Sequence, residues 1–202
     1  MDGPIKISVE PYQYLGGGQL TKAIPQPGTD VRLDSQGDKL MARLVYRRIG
    51  KQEVIVGAHS VETKAGGGVR WYEFIRNSGG GADLKSSGTY AQDNSYRWLP
   101  SPALDKFGNL FIGYSFGSQD QYPGQRMVAR TPQAPNGKMD IDEIILTQGE
   151  ASQTNTLRWE DYTQTAVDPS DERVIWYVGD YLKKGNTDYT TRIVSVRLTD
   201  KK

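Results

Sequence analysis

The sequence predicts an all-β chain: a β-propeller-like array of four-stranded antiparallel blades, about three of them, making an incomplete ring. Three observations lead there. Glycine is abundant at 23 and tyrosine reaches 12, which suits short strands joined by turns. No stretch carries the sustained 3.6-residue apolar periodicity of an amphipathic helix. The Arg97-Trp98 pair, leading into a strand-turn-strand unit, recurs as Arg158-Trp159 about 60 residues later, a spacing suited to repeated blades.

In chain order, Ile5, Ile7 and Val9 alternate with polar residues, so 5–9 reads as a lone half-buried strand. Leu15 to Gln19 reads as a glycine loop, and Ile24-Pro25-Gln26-Pro27-Gly28 as an extended, turn-rich connection. A first blade covers about 40–90, with strands at Leu40–Ile49, Glu53–Val61, Val69–Ile75 and Asp83–Tyr90. A second covers about 97–146, with strands at Leu99–Leu104, Asn109–Phe116, Arg126–Arg130 and Ile141–Leu146. A third, three-stranded blade covers about 161–198, with strands at Thr163–Val167, Arg173–Tyr181 and Thr191–Leu198. All of this forms one domain.

A blade buries its faces only against its neighbours. Three blades fall below the usual propeller minimum of about four. The terminal blades would then expose apolar faces, so self-association or missing N-terminal blades are expected, with a six-bladed dimeric ring as one solution. The lone strand at 5–9 has two available roles: outer strand of a preceding blade, or closure of the three-stranded one.

The formal charge is +1, from 25 basic and 24 acidic residues, which gives no general pull toward nucleic acid or anionic lipid. Cysteine is absent, which excludes disulfides and thiolate metal sites. Met1-Asp2-Gly3-Pro4 does not resemble a signal peptide, and no apolar run is long enough to span a membrane.

The candidate ligand-binding residues are Arg97, Trp98, Arg158, Trp159, Asp161 and Tyr162. They lie at the entry to the innermost strands, near the axis where propellers bind ligands. A guanidinium beside an indole suits a carboxylate or the flat face of a sugar. The competing reading packs Trp between blades and spends Arg on loop carbonyls. No catalytic residue is assigned. Glu160 and Tyr162 share a strand face, as a sialidase-type nucleophile pair would, but Glu160-Asp161-Tyr162 reads more simply as a polar network. Arg70, Arg126 and Arg192, each near the start of a third strand, read as structural arginines rather than a carboxylate clamp. His59, the only histidine, lacks Ser-His-Asp spacing. No cofactor or metal is expected: Asp105, Asp168 and Asp171 leave calcium conceivable, but no Asp-x-Asp-x-Asp-Gly loop accompanies them. Gly16–Gly18, Gly66–Gly68 and Gly79–Gly81 are strand connections, since none leads into Lys-Ser/Thr and a helix.

Several motifs in the same order resemble a bacterial family of large, mostly secreted proteins of unassigned function, whose repeats are similar to the sialidase-like (BNR-type) β-propeller superfamily. They are Pro25-Gln26-Pro27-Gly28-Thr29, Gly37-Asp38-Lys39-Leu40-Met41, Val69-Arg70-Trp71-Tyr72-Glu73, Tyr96-Arg97-Trp98, the Asp105–Tyr114 hairpin and Arg158-Trp159-Glu160-Asp161-Tyr162. The resemblance spans roughly 20–198 and corresponds to the C-terminal part of those longer chains. Asp105-Lys106-Phe107-Gly108-Asn109 has one residue more between Asp and Gly than the sialidase box Ser-x-Asp-x-Gly-x-x-Trp, so what carries over is a hairpin turn rather than an activity.

The resemblance implies an extracellular or cell-surface protein. The leading expectation is a non-catalytic binding or scaffold module for a glycan or protein, supported by aromatic-rich loops (Trp71, Trp98, Tyr122, Trp159, Tyr181). One alternative is part of a sialidase-like glycoside hydrolase whose catalytic residues lie elsewhere. The other is a structural subunit of an oligomeric assembly.

Overall fold

The computed structural model describes residues 4–18 and 20–199. The chain is all-β, with four antiparallel sheets and one short 3-10 turn at Leu15–Gly17. A small hairpin comes first, β1 (Ile24–Gln26) and β2 (Thr29–Leu33). Then come β3 (Val45–Ile49), β4 (Gln52–Glu62), β5 (Gly67–Arg76) and β6 (Ala82–Tyr90), paired in that order. Next are β7 (Tyr96–Leu104), β8 (Leu110–Gly117), β9 (Gly124–Arg130) and β10 (Ile141–Thr147), again paired consecutively. The last sheet is β11 (Gln164–Val167), β12 (Ile175–Tyr181) and β13 (Thr190–Val196), in the order β11-β12-β13.

Local chemistry fixes the turns. Between β7 and β8, the Asp105 carboxylate accepts the amides of Phe107 and Asn109, both at 2.9 Å, and Gly108 takes φ +84°. Between β1 and β2, Pro27-Gly28 makes the turn, with Gly28 at φ +66°. The extended, turn-rich connection expected at 24–28 is thus one arm and the turn of a paired hairpin. Gln26 anchors it, donating from Nε2 to the Val31 carbonyl at 2.8 Å and to the Gln153 carbonyl at 2.9 Å.

The three larger sheets stack in chain order, and the second is covered on both faces. Toward the first sheet, Leu104, Leu110, Ile112, Tyr114 and Val128 meet Val54, Val56, Val69 and Trp71. Toward the third, Ala103, Phe111, Met127 and Ala129 meet Ile175 and Tyr177. Accordingly every residue of β8 is buried, and its sequence Leu110-Phe111-Ile112-Gly113 shows no polar alternation. Gly113 is required there: a Cβ would lie 2.2 Å from the Tyr177 ring, which rests directly on β8.

β7 carries Pro100 and Pro102 and is an edge strand of its sheet, where lost amide donors are tolerated. Its register shifts between Trp98 and Ser101, with Leu99 at φ +51°. Both neighbouring units hold this bulge. Leu99 N donates to Ser60 Oγ at 3.1 Å, and the Leu99 and Ser101 carbonyls accept from Thr163 Oγ1 at 2.7 Å and Thr165 Oγ1 at 2.6 Å.

One strand expectation fails. Residues 5–9 form no strand; Ile5 and Val9 are 60% and 36% exposed. Alternation alone makes no strand without a partner for the backbone. The chain is instead tied to the first sheet further on. The Glu10 carbonyl accepts from Arg70 Nη2 at 3.1 Å, the Gln13 carbonyl accepts the Glu62 amide at 2.9 Å, and Tyr14 bridges Val61. Several strand limits also move, most of all the starts of β3, at Val45 rather than Leu40, and of β7, at Tyr96 rather than Leu99.

Candidate functional site

The six residues singled out by sequence divide into a buried set and an exposed set. Arg97 is buried between the first and second sheets. Its Nε bonds Glu143 Oε1 at 2.8 Å and its Nη1 bonds Asp93 Oδ1 at 3.0 Å, while the guanidinium lies 5.4 Å from the Tyr90 ring centre and 5.2 Å from that of Phe116. Tyr114 Oη donates to the same Glu143 oxygen at 2.7 Å. Burial opposes the Arg97 charge, but the hydrogen bonds to Glu143 and Asp93 outweigh it and hold the pKa above the ordinary arginine value.

Trp98 and Trp159 are wholly buried, with ring centres 6.2 Å apart, in a cluster with Leu15, Ile24, Leu33, Leu99 and Leu182. Neither indole can stack on a ligand from solvent, so Arg97, Trp98 and Trp159 are removed from the ligand-binding set. The reason is packing: the 3-10 turn and the β1–β2 hairpin close over the indoles.

Arg158, Asp161 and Tyr162 remain at the surface. Arg158 pairs with Asp161 through Nε at 2.9 Å and through Nη2; the two side chains are 52% and 48% exposed. Gln36 Nε2 reaches Asp161 Oδ1 at 3.4 Å and the Glu160 carbonyl at 2.8 Å, which fixes this loop against the segment after β2. Tyr162 is 71% exposed.

Tyr162 also lines a recess of about 140 Å³ with Met41, Ala42, Arg43, Thr163 and Gln164. Gln164 belongs as well to an adjoining recess of about 200 Å³, walled by Val45–Arg47, Ala103, Leu104 and Thr165–Val167. The two share Gln164 and together follow the first strand of each large sheet, β3, β7 and β11. Tyr162, Arg43 and Gln164 are exposed where they line the first recess, and Tyr46 is exposed on the outward phase of β3. The Tyr46 hydroxyl donates to Glu53 Oε1 at 2.5 Å. The sequence reading did not single out Arg43 and Tyr46. The available signal was the polar phase of Val45-Tyr46-Arg47-Arg48-Ile49 on a first strand.

Glu160, the neighbour of two candidates, faces inward. Its carboxyl accepts Trp159 Nε1 at 3.0 Å and the Asp180 amide at 2.9 Å, and is bonded to Ser115 Oγ. Burial, then the nearby Asp180 carboxylate, push its pKa up to about 8. With Ser115 on β8 and Asp180 on β12, Glu160 ties the second sheet to the third. It points away from Tyr162 because the chain around 159–162 is not strand, so the shared face expected for 160 and 162 does not arise.

The remaining polar residues serve the fold. His59 is buried between Tyr12 and Tyr72, with Nε2 3.0 Å from the Tyr72 hydroxyl, and burial lowers its pKa. Arg70 bonds Thr89, Arg126 bonds Gln148 Oε1 at 2.7 Å, and Arg192 is exposed on β13; these three occupy three different sheets. Asp105, Asp168 and Asp171 each bond their own turn. Among the described residues no group of three His, Cys, Asp or Glu side chains is placed to hold a metal ion, and no helix is long and apolar enough to cross a membrane. No protein-family model, curated protein sequence or solved structure matches the chain.

Proposed function

We propose that this chain is a non-catalytic binding module, a partial β-propeller of extracellular type, that takes a saccharide in the groove along β3, β7 and β11. The observation that carries the reading is that Tyr162, Arg43 and Gln164 line one recess, continuous through Gln164 with a second that runs along the first strands of three successive sheets. Exposed phenol rings suit sugar faces, and guanidinium and amide groups suit hydroxyls or a carboxylate. The stacking order and the one-strand-to-the-next pairing within each sheet support the propeller part.

The hydrolase alternative finds no support in the groove. Glycoside hydrolysis ordinarily needs two carboxyl groups facing the scissile bond. Asp161, at the groove mouth, is held by Arg158, and the nearby Glu160 is enclosed.

A glycan array run beside a fluorogenic glycoside panel tests the reading. Binding without turnover is expected, weakened at least tenfold by Tyr162→Ala or Arg43→Ala with the far-ultraviolet spectrum unchanged. Turnover of any glycoside, or binding indifferent to both substitutions, overturns it.

A further inference from the structure

We propose that residues 5–10 of one chain add as a fourth strand to the free edge of β13 in a second copy. This goes beyond the reading above, resting on the open third sheet and not on the saccharide groove.

The acceptor is a specific edge. In the first two sheets the third strand carries a fourth on its far side: β6 beside β5, and β10 beside β9. Among the described residues β13 pairs with β12 alone, so one row of its backbone donors and acceptors is unused. Val194 and Val196 lie opposite Tyr177 and Ile175 and so face the second sheet, where Ile144 and Leu146 of β10 remain only half-buried. A strand alongside β13 would cover them.

The donor has the matching pattern. Residues 5–9 belong to no ladder, the Glu10 carbonyl being held by Arg70, and Ile5, Ile7 and Val9 sit at alternate positions. Pro4 and Pro11 bound the segment, so every residue between them keeps an amide for a ladder. Its tether is fixed to the first sheet at Glu10, Gln13 and Tyr14, at the opposite end of the three-sheet stack from β13. That placement favours a neighbouring molecule over closure within one chain.

Register follows from chemistry. Antiparallel pairing of Ile7 with Val194 puts Ile5 opposite Val196 and Val9 opposite the stem of Arg192, all on the inward face, while Lys6 and Ser8 lie outward beside Ser195 and Ile193. Slipping by two residues in one direction would set Lys6 against Arg197, two like charges face to face, and in the other would leave a single apolar pair, Ile5 with Val194, in place of two. Reciprocal exchange closes a two-fold dimer; one-way exchange extends a chain of copies.

Because the chain lacks cysteine, engineered cysteines give a clean test. Lys6→Cys and Ser195→Cys chains are mixed and oxidised; directly opposed residues of an antiparallel pair meet the spacing a disulfide needs. The expected result is a mixed disulfide dimer at least ten times more abundant than the dimer from either chain alone. Sedimentation of the cysteine-free protein should show self-association that Ile7→Asp weakens at least tenfold. Residue 7 lies outside every sheet, so this variant should keep the parent's spectrum and melting temperature. A monomer at all concentrations, association indifferent to Ile7→Asp, or a double-cysteine chain that closes on itself overturns the proposal. Saccharide binding is a separate readout and decides only the groove.

Discussion

The two junctions that hold the second sheet bury carboxylates in opposite ways. Toward the first sheet, Glu73 meets Arg130 Nη1 at 2.8 Å and Lys85 Nζ at 2.9 Å, and Glu143 meets Arg97. Each acid there has a cation, and Arg130 stacks over Trp71 at 4.8 Å. Toward the third sheet, Glu160 has hydrogen-bond donors but no cation, and its nearest charged neighbour is the Asp180 carboxylate. The first junction keeps its charges by pairing them. The second takes up a proton instead, since an unpaired buried carboxylate is costly to keep ionised. Packing at the second junction is therefore sensitive to pH through Glu160.

The largest effect should come from breaking the paired junction. Arg130→Met keeps much of the apolar stem and leaves Glu73 buried with only the half-exposed Lys85. Removing one partner of a buried pair typically costs about 3–5 kcal/mol, and urea unfolding should show a loss of that order. A loss below about 1 kcal/mol would mean that Lys85 alone carries Glu73, and the contrast between the junctions would shrink.

The unpaired junction should yield a smaller effect that depends on pH. The ordinary glutamate value is 4.5, and Glu160 is raised to about 8. Between these values the folded chain holds a proton that the unfolded chain has released, so stability falls as pH rises through the window. His59, lowered by burial, acts the other way below its ordinary 6.5, because there the unfolded chain takes up the extra proton. Across the interval from 6.5 to 8 the carboxyl dominates, and stability should fall by about 1.5 kcal/mol, since the slope of about 1.4 kcal/mol per pH unit halves as pH reaches 8. Asp180, also raised by burial, contributes in the same direction. Glu160→Gln should flatten most of this slope in urea unfolding followed at several pH values. An unchanged slope would show that Glu160 is already ionised and satisfied by its three donors.

Much of this architecture was legible in the residues. Short apolar and aromatic runs bounded by turn residues located all eleven strands of the large sheets, because strands packed between neighbouring sheets need apolar residues and the turns that join them need glycine, Asp or Asn. Asp105-Lys106-Phe107-Gly108 announced its turn, since an Asp carboxylate and a glycine at positive φ make a turn with no help from distant residues. The β1–β2 hairpin stayed hidden because Pro25 and Pro27 read as breakers, while the stabilising bond from Gln26 runs to Gln153. The site was legible only in part. Arg97-Trp98 and Arg158-Trp159 are identical pairs, yet one arginine is buried and the other half-exposed. The difference lies in partners: Arg97 finds Glu143, 46 residues away, whereas Arg158 finds Asp161 in its own loop. Local spacing shows the second and cannot show the first.

That difference between the twin arginines gives the smallest prediction. Arg158 and Asp161 are each about half-exposed, so solvent screens the pair and its contribution should stay within about 1 kcal/mol. Arg158→Ala should therefore leave urea unfolding almost unchanged, while the corresponding Arg97→Ala, which strips the buried guanidinium from Glu143 and Asp93, should cost several-fold more. The same Arg158→Ala change frees Asp161 beside Tyr162 at the mouth of the groove. A carboxylate without its cation repels an acidic saccharide, so affinity for such a ligand should fall while affinity for a neutral one holds. Equal loss for both, measured by titration calorimetry, would make Arg158 a support for the loop; equal retention would put the bound sugar away from Asp161, in the recess along β7.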